Sequence, residues 1–349
     1  MTLRNFCLLF PYMLFLHAHI LSAQENPDRV RQDFYHLLER PHVPFGASFQ
    51  TTVTDSVRIE KGFIYSGANE QIPVLIYKPV GEGTYPVVIC LHGTGGNKED
   101  PYIDRMMYAL TKMGFMGVAI DARYHGARVP GGAHGSKEYV AAVTRAWENK
   151  DTAHQEHPFF YDTVYDLWRL TDYLVTRSDV QAGRIGMTGV SMGGIETWLA
   201  ASTDTRIKVA VLDIGAQSFA WSLDNDRWQG RAHTIWGAQE QAAKDLGDSA
   251  VAKDNVKALW DKVIPGITGE FDCPSMLRLF APRPLLILSN EKDVNCPLLG
   301  ARLAYASAET AYRAADASDR LAMDVAPGVG HQTLPVHYRM TLAWFQRWL

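Results

Sequence analysis

Six short apolar runs recur along the second three-quarters of the chain, at residues 87–91, 116–120, 185–188, 209–212, 285–288 and 321–325. Each has strand length and lacks polar alternation, which marks a strand buried on both faces. Between the runs lie stretches of helical periodicity at 102–112, 163–176, 193–201, 298–315 and 336–348. Buried strands alternating with helices predict a mostly parallel central sheet with helices on both faces. Shorter β-like runs at 56–59, 63–65 and 74–77 predict antiparallel strands at one edge. Residues 24–50 are polar and dotted with proline, and are expected to wrap the surface. Two stretches break the rhythm: 125–160, rich in Gly, His, Trp and Arg, and 214–280, which holds Trp221, Trp228, Trp236 and Trp260. Both leave strand C-termini, where loops build the site of an α/β sheet. They are read as a rim and a Trp-rich cap on a single domain spanning 24–349.

The start of the chain has another pattern. Arg4 is the only charged residue before Glu25, and residues 6–16 (FCLLFPYMLFL) are apolar. A positive start, a short apolar core and the small residue Ala23 predict a secretory signal peptide over 1–23. The run is too short for a comfortable membrane span, so no stable membrane insertion is expected. After Cys7, three cysteines remain: Cys90, Cys273 and Cys296. Three thiols cannot make a disulfide framework. Cys90 falls in a strand run, and Cys273 and Cys296 either pair in an oxidising compartment or stay as two free thiols. With 34 basic and 38 acidic residues, the net charge is −4. That balance gives no reason to expect a nucleic-acid partner. The 47% hydrophobic and 21% charged content excludes disordered and fibrous classes.

The sharpest chemical signal is Gly189-Val190-Ser191-Met192-Gly193, which fits G-x-S-x-G between a strand run and a helical stretch. In that context the serine sits on a strained strand-to-helix turn, and bulk at the flanking glycines would clash with neighbouring backbone. A serine hydroxyl needs a base, and the expected chain order is Ser, acid, His. His331 follows the last strand run in the flexible stretch PGVGH and is the candidate base. His337 lies inside a helical stretch and is read as structural, and His233 lies in the cap. The acid should follow the run at 285–288, where Glu291 and Asp293 both stand. Asp324, within a strand run, is read as structural. The Gly-rich turn His92-Gly93-Thr94-Gly95-Gly96 follows the first buried strand and can aim backbone N–H groups into the site. The oxyanion donors expected are the amides of Met192 and Thr94, with Gly95 as the alternate to Thr94. His92 is read as tying this loop down.

Together these elements resemble the α/β-hydrolase superfamily over roughly residues 70–349, nearest in texture to the dienelactone hydrolase, acetyl xylan esterase and prolyl-oligopeptidase-like group. The residues that carry the resemblance are His92-Gly93, the turn 121–126 (DARYHG), the elbow at Ser191, the stretch 281–285 (APRPL), Asp293 and Gly330-His331. The resemblance selects Asp293 over Glu291 as the acid. It implies an α/β-hydrolase fold, a Ser191-His331-Asp293 mechanism with no cofactor and no metal, and Asp121 and Arg123 as loop braces.

A secreted or periplasmic ester hydrolase is the expected function. Its substrate would be a small-molecule or polysaccharide ester, such as an acetyl or methyl decoration. Trp faces suit sugar rings and arginine suits a carboxylate. Trp221, Trp228, Arg231 and His233 are therefore the candidate substrate-binding residues of the cap, with Trp236 beside them and Arg128 and His134 on the rim. The alternatives are a prolyl-oligopeptidase-like serine peptidase and a non-catalytic binding protein of the same fold. Too little chain precedes the first strands to form the propeller such peptidases carry.

Overall fold

The computed structural model describes residues 26–132 and 134–349. The expected signal peptide lies outside the described residues. One nine-stranded sheet organises the rest: β1 Ser48–Val53, β2 Val57–Gly67, β3 Glu70–Pro79, β4 Tyr85–Leu91, β5 Met116–Ile120, β6 Val180–Val190, β7 Ile207–Asp213, β8 Leu285–Asn290 and β9 Leu321–Ala326. Their spatial order is β1-β2-β3-β5-β4-β6-β7-β8-β9. The pairs β1·β2, β2·β3 and β3·β5 are antiparallel, and every pair from β5·β4 to β8·β9 is parallel.

Alternate residues of each buried strand serve two separate cores, which explains runs without alternation. Val87, Ile89 and Leu91 of β4, with Met187 of β6 and Ile287 of β8, face a core built on helices Pro27–Leu38, Tyr161–Thr176, Met192–Thr203 and Leu298–Ala314. Val88 and Cys90, with Val209, Val211, Leu286 and Leu288, face a second core under helices Pro101–Lys112 and Pro335–Trp348. A strand pressed by helices on both faces has no polar side to show.

Two elements differ from the sequence reading. Residues 27–38, expected to wrap the surface, form a helix that buries Val30, Phe34 and Leu38 at four-residue spacing. Most of its other positions are charged or polar, and they dilute the apolar signal. β1 was likewise unmarked: its sequence SFQTTV is exposed at nearly every position, as befits an edge strand. The runs 56–59 and 63–65 are one continuous strand, β2, and Gly62 joins them where a Cβ would lie 1.9 Å from the Ser48 carbonyl oxygen of β1.

The stretch 125–160 contains helix Lys137–Glu148, and 214–280 contains five helices: Phe219–Asp224, Gln229–His233, Trp236–Asp245, Lys253–Val263 and Cys273–Leu277. These two regions pack on each other through Lys137–Glu148 and Trp236–Asp245. The parallel strands β4 to β9 all end at one edge of the sheet, and both stretches rise from that edge.

Candidate functional site

Ser191 stands between β6 and helix Met192–Thr203 at φ 54° and ψ −109°, a backbone conformation that side-chain-bearing residues rarely adopt. Its N–H donates to the Asp213 carbonyl at 2.9 Å. Neither flanking glycine has room for a side chain. A Cβ on Gly189 would lie 2.2 Å from the Gly193 carbonyl, and one on Gly193 would lie 2.6 Å from the Leu91 carbonyl oxygen. The turn therefore closes only with glycine on both sides, as the motif implied.

The structure brings Ser191, His331 and Asp293 into one hydrogen-bonded line. His331 Nδ1 lies 2.7 Å from Asp293 Oδ2, and His331 Nε2 lies 2.8 Å from Ser191 Oγ. An ionised carboxylate only accepts, so Nδ1 carries the proton and Nε2 is left to accept from the serine hydroxyl. Asp293 Oδ1 is held separately by the N–H groups of Asn295 and Cys296, each at 2.8 Å. Asp293 is 5% exposed and Ser191 8%, so the line is largely screened from solvent. Glu291, the alternative acid, is exposed and accepts from the Gly328 N–H instead.

A residue the sequence did not single out fixes this geometry. Asn290, fully buried at the end of β8, donates through Nδ2 to the carbonyls of Gly330 (2.6 Å) and Gln332 (2.8 Å). It grips the chain on both sides of His331. The only available signal was its place directly after the strand that leads to Asp293.

The loop after β4 packs against the serine. A Cβ on Gly93 would meet Ser191 Cβ at 3.7 Å and the Tyr102 hydroxyl at 3.9 Å, and the Gly93 N–H donates to that hydroxyl at 2.8 Å. Thr94 follows, and Met192 opens the helix on the opposite side. Among the described residues, neither backbone N–H has an acceptor. His92 is buried, and burial holds its imidazole below the ordinary pKa, so it stays neutral. One of its nitrogens lies 2.8 Å from the Gly93 carbonyl, and the other accepts from the Ala122 N–H at 3.1 Å. It thus ties the loop to the turn after β5. In that turn Asp121 accepts from Lys98 Nζ at 2.7 Å and from the Ala127 N–H at 2.9 Å. Arg123 makes a two-pronged contact with buried Asp166 at 2.7 and 2.8 Å.

The cap residues divide. Trp221 and His233 line a groove of about 700 Å³ that also reaches Asp293, Val294 and Leu299. Trp228 and Arg231 do not line it: they are 7% and 1% exposed, and their side chains point into the protein. Arg231 Nη2 donates to Cys296 Sγ at 3.0 Å and to the Asn295 carbonyl at 3.4 Å. With the Gln217 amide turned to satisfy both neighbours, its oxygen accepts from Arg231 Nε at 3.0 Å. Gly230 allows the approach, since a Cβ there would lie 2.1 Å from the Val294 carbonyl oxygen. Arg231 is therefore a strut beneath the loop that carries Asp293, where the sequence reading had a substrate contact. Arg128 is likewise engaged, with Asp166 at 2.7 Å and with Glu70. His134 is exposed and sits by Asn97 on the rim.

Cys90, Cys273 and Cys296 are all free and buried, and burial pushes the Cys296 thiol up to about 12. Among the described residues, Asp293, Cys296 and His331 present ligand atoms within 4.8 Å of one another, the one grouping with metal-ligand spacing. Its carboxylate and imidazole are the groups that bond each other in the line to Ser191.

Comparison with known proteins agrees with this fold. The model of the dienelactone hydrolase family matches residues 72–244. YtaP of Bacillus subtilis, named as a hydrolase, is 32% identical over 157 residues, which are 41% of this chain and 48% of that protein. YuxL of the same organism, named as a peptidase, is 28% identical over 222 residues, 62% of this chain and 27% of that protein. The chain thus spans about half of one curated relative and about a quarter of the other. Among solved structures, acetyl xylan esterase 1 from a Thermoanaerobacterium species superposes with a TM-score of 0.67 at 17% identity, covering 93% of each chain. A mostly parallel sheet, a serine elbow at its C-terminal edge and these matches give the chain an α/β-hydrolase fold, with the dienelactone hydrolase family as its match over residues 72–244.

Proposed function

We propose that this protein is a serine hydrolase that cleaves a carboxylic ester, and that it works outside the cytoplasm. The observation that carries the reading is the unbroken line from Ser191 Oγ through His331 to Asp293, at 2.8 and 2.7 Å. In this reading His331 takes the hydroxyl proton as Ser191 attacks the acyl carbon. Asp293 keeps the imidazole in the required tautomer and stabilises its charged form. The N–H groups of Met192 and Thr94, which have no acceptor among the described residues, receive the oxyanion. Each such donor is worth about 2.7–4 kcal/mol of transition-state stabilisation in comparable sites. His331 then protonates the departing alcohol, and water releases the acid from Ser191. An ester decoration of a polysaccharide is the substrate class proposed, supported by the similarity to an acetyl xylan esterase and by Trp221 at the groove.

The test is hydrolysis of p-nitrophenyl acetate by the purified protein beside Ser191→Ala. Turnover by the wild type and background rates from the variant are expected. Equal rates from both would remove Ser191 from the chemistry. Turnover of a peptide anilide with no ester turnover would replace the reading with the peptidase one, towards which the similarity to YuxL points.

A further inference from the structure

A second cleft of about 470 Å³ lies next to the serine elbow, and among the described residues none of the cap lines it. Val190, adjacent to Ser191, forms part of its wall, and so do Thr333, Leu334 and Pro335, which follow His331. Tyr102, Met106 and Tyr338 line it as well. The Tyr102 hydroxyl accepts from the Gly93 N–H, so its own hydrogen remains to be donated. Asp213 also lines the cleft. Its Oδ1 is engaged by His337 Nδ1 at 2.8 Å, and its Oδ2 has no partner among the described residues. Arg105 stands at the mouth, with its side chain free of any ion pair among the described residues.

These features select one kind of occupant. The cleft has flat aromatic and apolar walls, a hydroxyl donor and a buried carboxyl acceptor 7% exposed. A pyranose ring presents apolar C–H faces and a polar edge of hydroxyls, and sites that hold such ligands combine those same surfaces. The side of the serine also matters. During acylation the bond from Ser191 Oγ to the acyl carbon forms, and the bond from that carbon to the alcohol oxygen breaks. The proton taken from Ser191 passes through His331 Nε2 to the departing oxygen. The alcohol must therefore lie against His331, and the chain that follows His331 walls this cleft. We infer that the cleft between helices Pro101–Lys112 and Pro335–Trp348 binds the hydroxyl-bearing sugar ring of the leaving alcohol. This rests on the ester-hydrolase reading, and assigns the sugar to the tyrosine-lined side of the serine.

The experiment compares two acetyl esters, a monoacetylated methyl xyloside and ethyl acetate, by acid release at constant pH. Met106→Trp fills the cleft, and Tyr338→Phe removes a hydroxyl at its wall. For Met106→Trp, the ratio of kcat/KM for the sugar ester to that for ethyl acetate should fall by roughly tenfold. The Tyr338 hydroxyl donates to the Arg105 carbonyl at 3.1 Å and is left to accept from a sugar hydroxyl, so Tyr338→Phe, a mild change on a half-buried surface, should lower the ratio by about fivefold and covers the case in which the tryptophan variant does not fold. Free methyl xyloside should inhibit the wild type competitively, and each variant less. A ratio unchanged in the folded variants overturns the assignment and leaves the esterase reading standing. A selective loss of p-nitrophenyl octanoate over acetate, with the sugar ratio constant, overturns it by giving the cleft to the acyl chain. If the wild type hydrolyses neither ester, the esterase reading fails and the subsite with it.

Discussion

Ser191 holds its unusual φ because Gly189 and Gly193 let β6 and the following helix close to within backbone contact. The strain is local, and the tight packing of the surrounding strands sustains it. His331 is set by three hydrogen bonds from two residues: Asp293 at one ring nitrogen, and Asn290 on the backbone of Gly330 and Gln332 at either side. Asp293→Asn would offer an amide N–H where a carboxylate oxygen accepts, favouring the wrong imidazole tautomer. Turnover should fall by about 10⁴-fold with the fold intact. Steady-state kinetics beside a thermal melt checks this, and near-normal kcat would remove Asp293 from the acid role. Ser191 and His331 were legible because each carries a local signature, a G-x-S-x-G turn and a Gly-rich loop after a strand. Arg231 was not. An arginine on a short cap helix reads the same whether it faces the groove or the interior, and only the position of Cys296 and Asn295 shows which.

The strands were legible in proportion to how deeply they are buried. β4 to β8 sit between two cores, and their sequences have no polar side to mislead. β1 at the edge shows no apolar run, because hydrogen bonds to β2 and not side-chain burial hold it. The same edge of the sheet depends on charge. Lys78 of β3 pairs with Glu60 of β2 at 2.7 Å, and Arg177, in the turn before β6, reaches Glu60 at 2.9 Å and Asp179 at 2.7 Å. Burial alone would raise the Asp179 carboxyl. Arg177 and Lys78 outweigh it and hold the group down at about 2, below its ordinary 3.8. A carboxyl depressed in the folded state stabilises above its unfolded pKa and loses that contribution as pH falls through the folded one. Melting temperature should therefore drop between about pH 4 and pH 2, and Asp179→Asn should make that drop shallower. Thermal melts across that range test it, and an identical pH dependence in the variant would show that the pair is energetically silent.

Among the described residues of the whole molecule, no helix is long and apolar enough to cross a membrane. The helix Pro27–Leu38, read from the sequence as a surface wrap, ties distant parts together. Phe34 meets Tyr161 and Trp168 of the core helix at ring distances of 5.0 and 5.9 Å, and Phe271 near the end of the cap stretch at 4.9 Å. Phe34→Ala should cost about 3–5 kcal/mol, read as a lower urea midpoint at unchanged slope. A smaller loss would mean that the neighbouring rings collapse into the space. The cap itself enters and leaves the sheet through β7 and β8, which are adjacent and in register. That connectivity makes it look like an interchangeable cassette: cut at both strands, replace, and keep the chemistry. Arg231 denies this. It belongs to the exchangeable part yet props the loop that carries Asp293, so a transplanted cap would leave Asp293 unsupported. Any graft between β7 and β8 has to bring its own buried guanidinium to that spot. Under the proposed function, specificity and reactivity in this protein are inherited together.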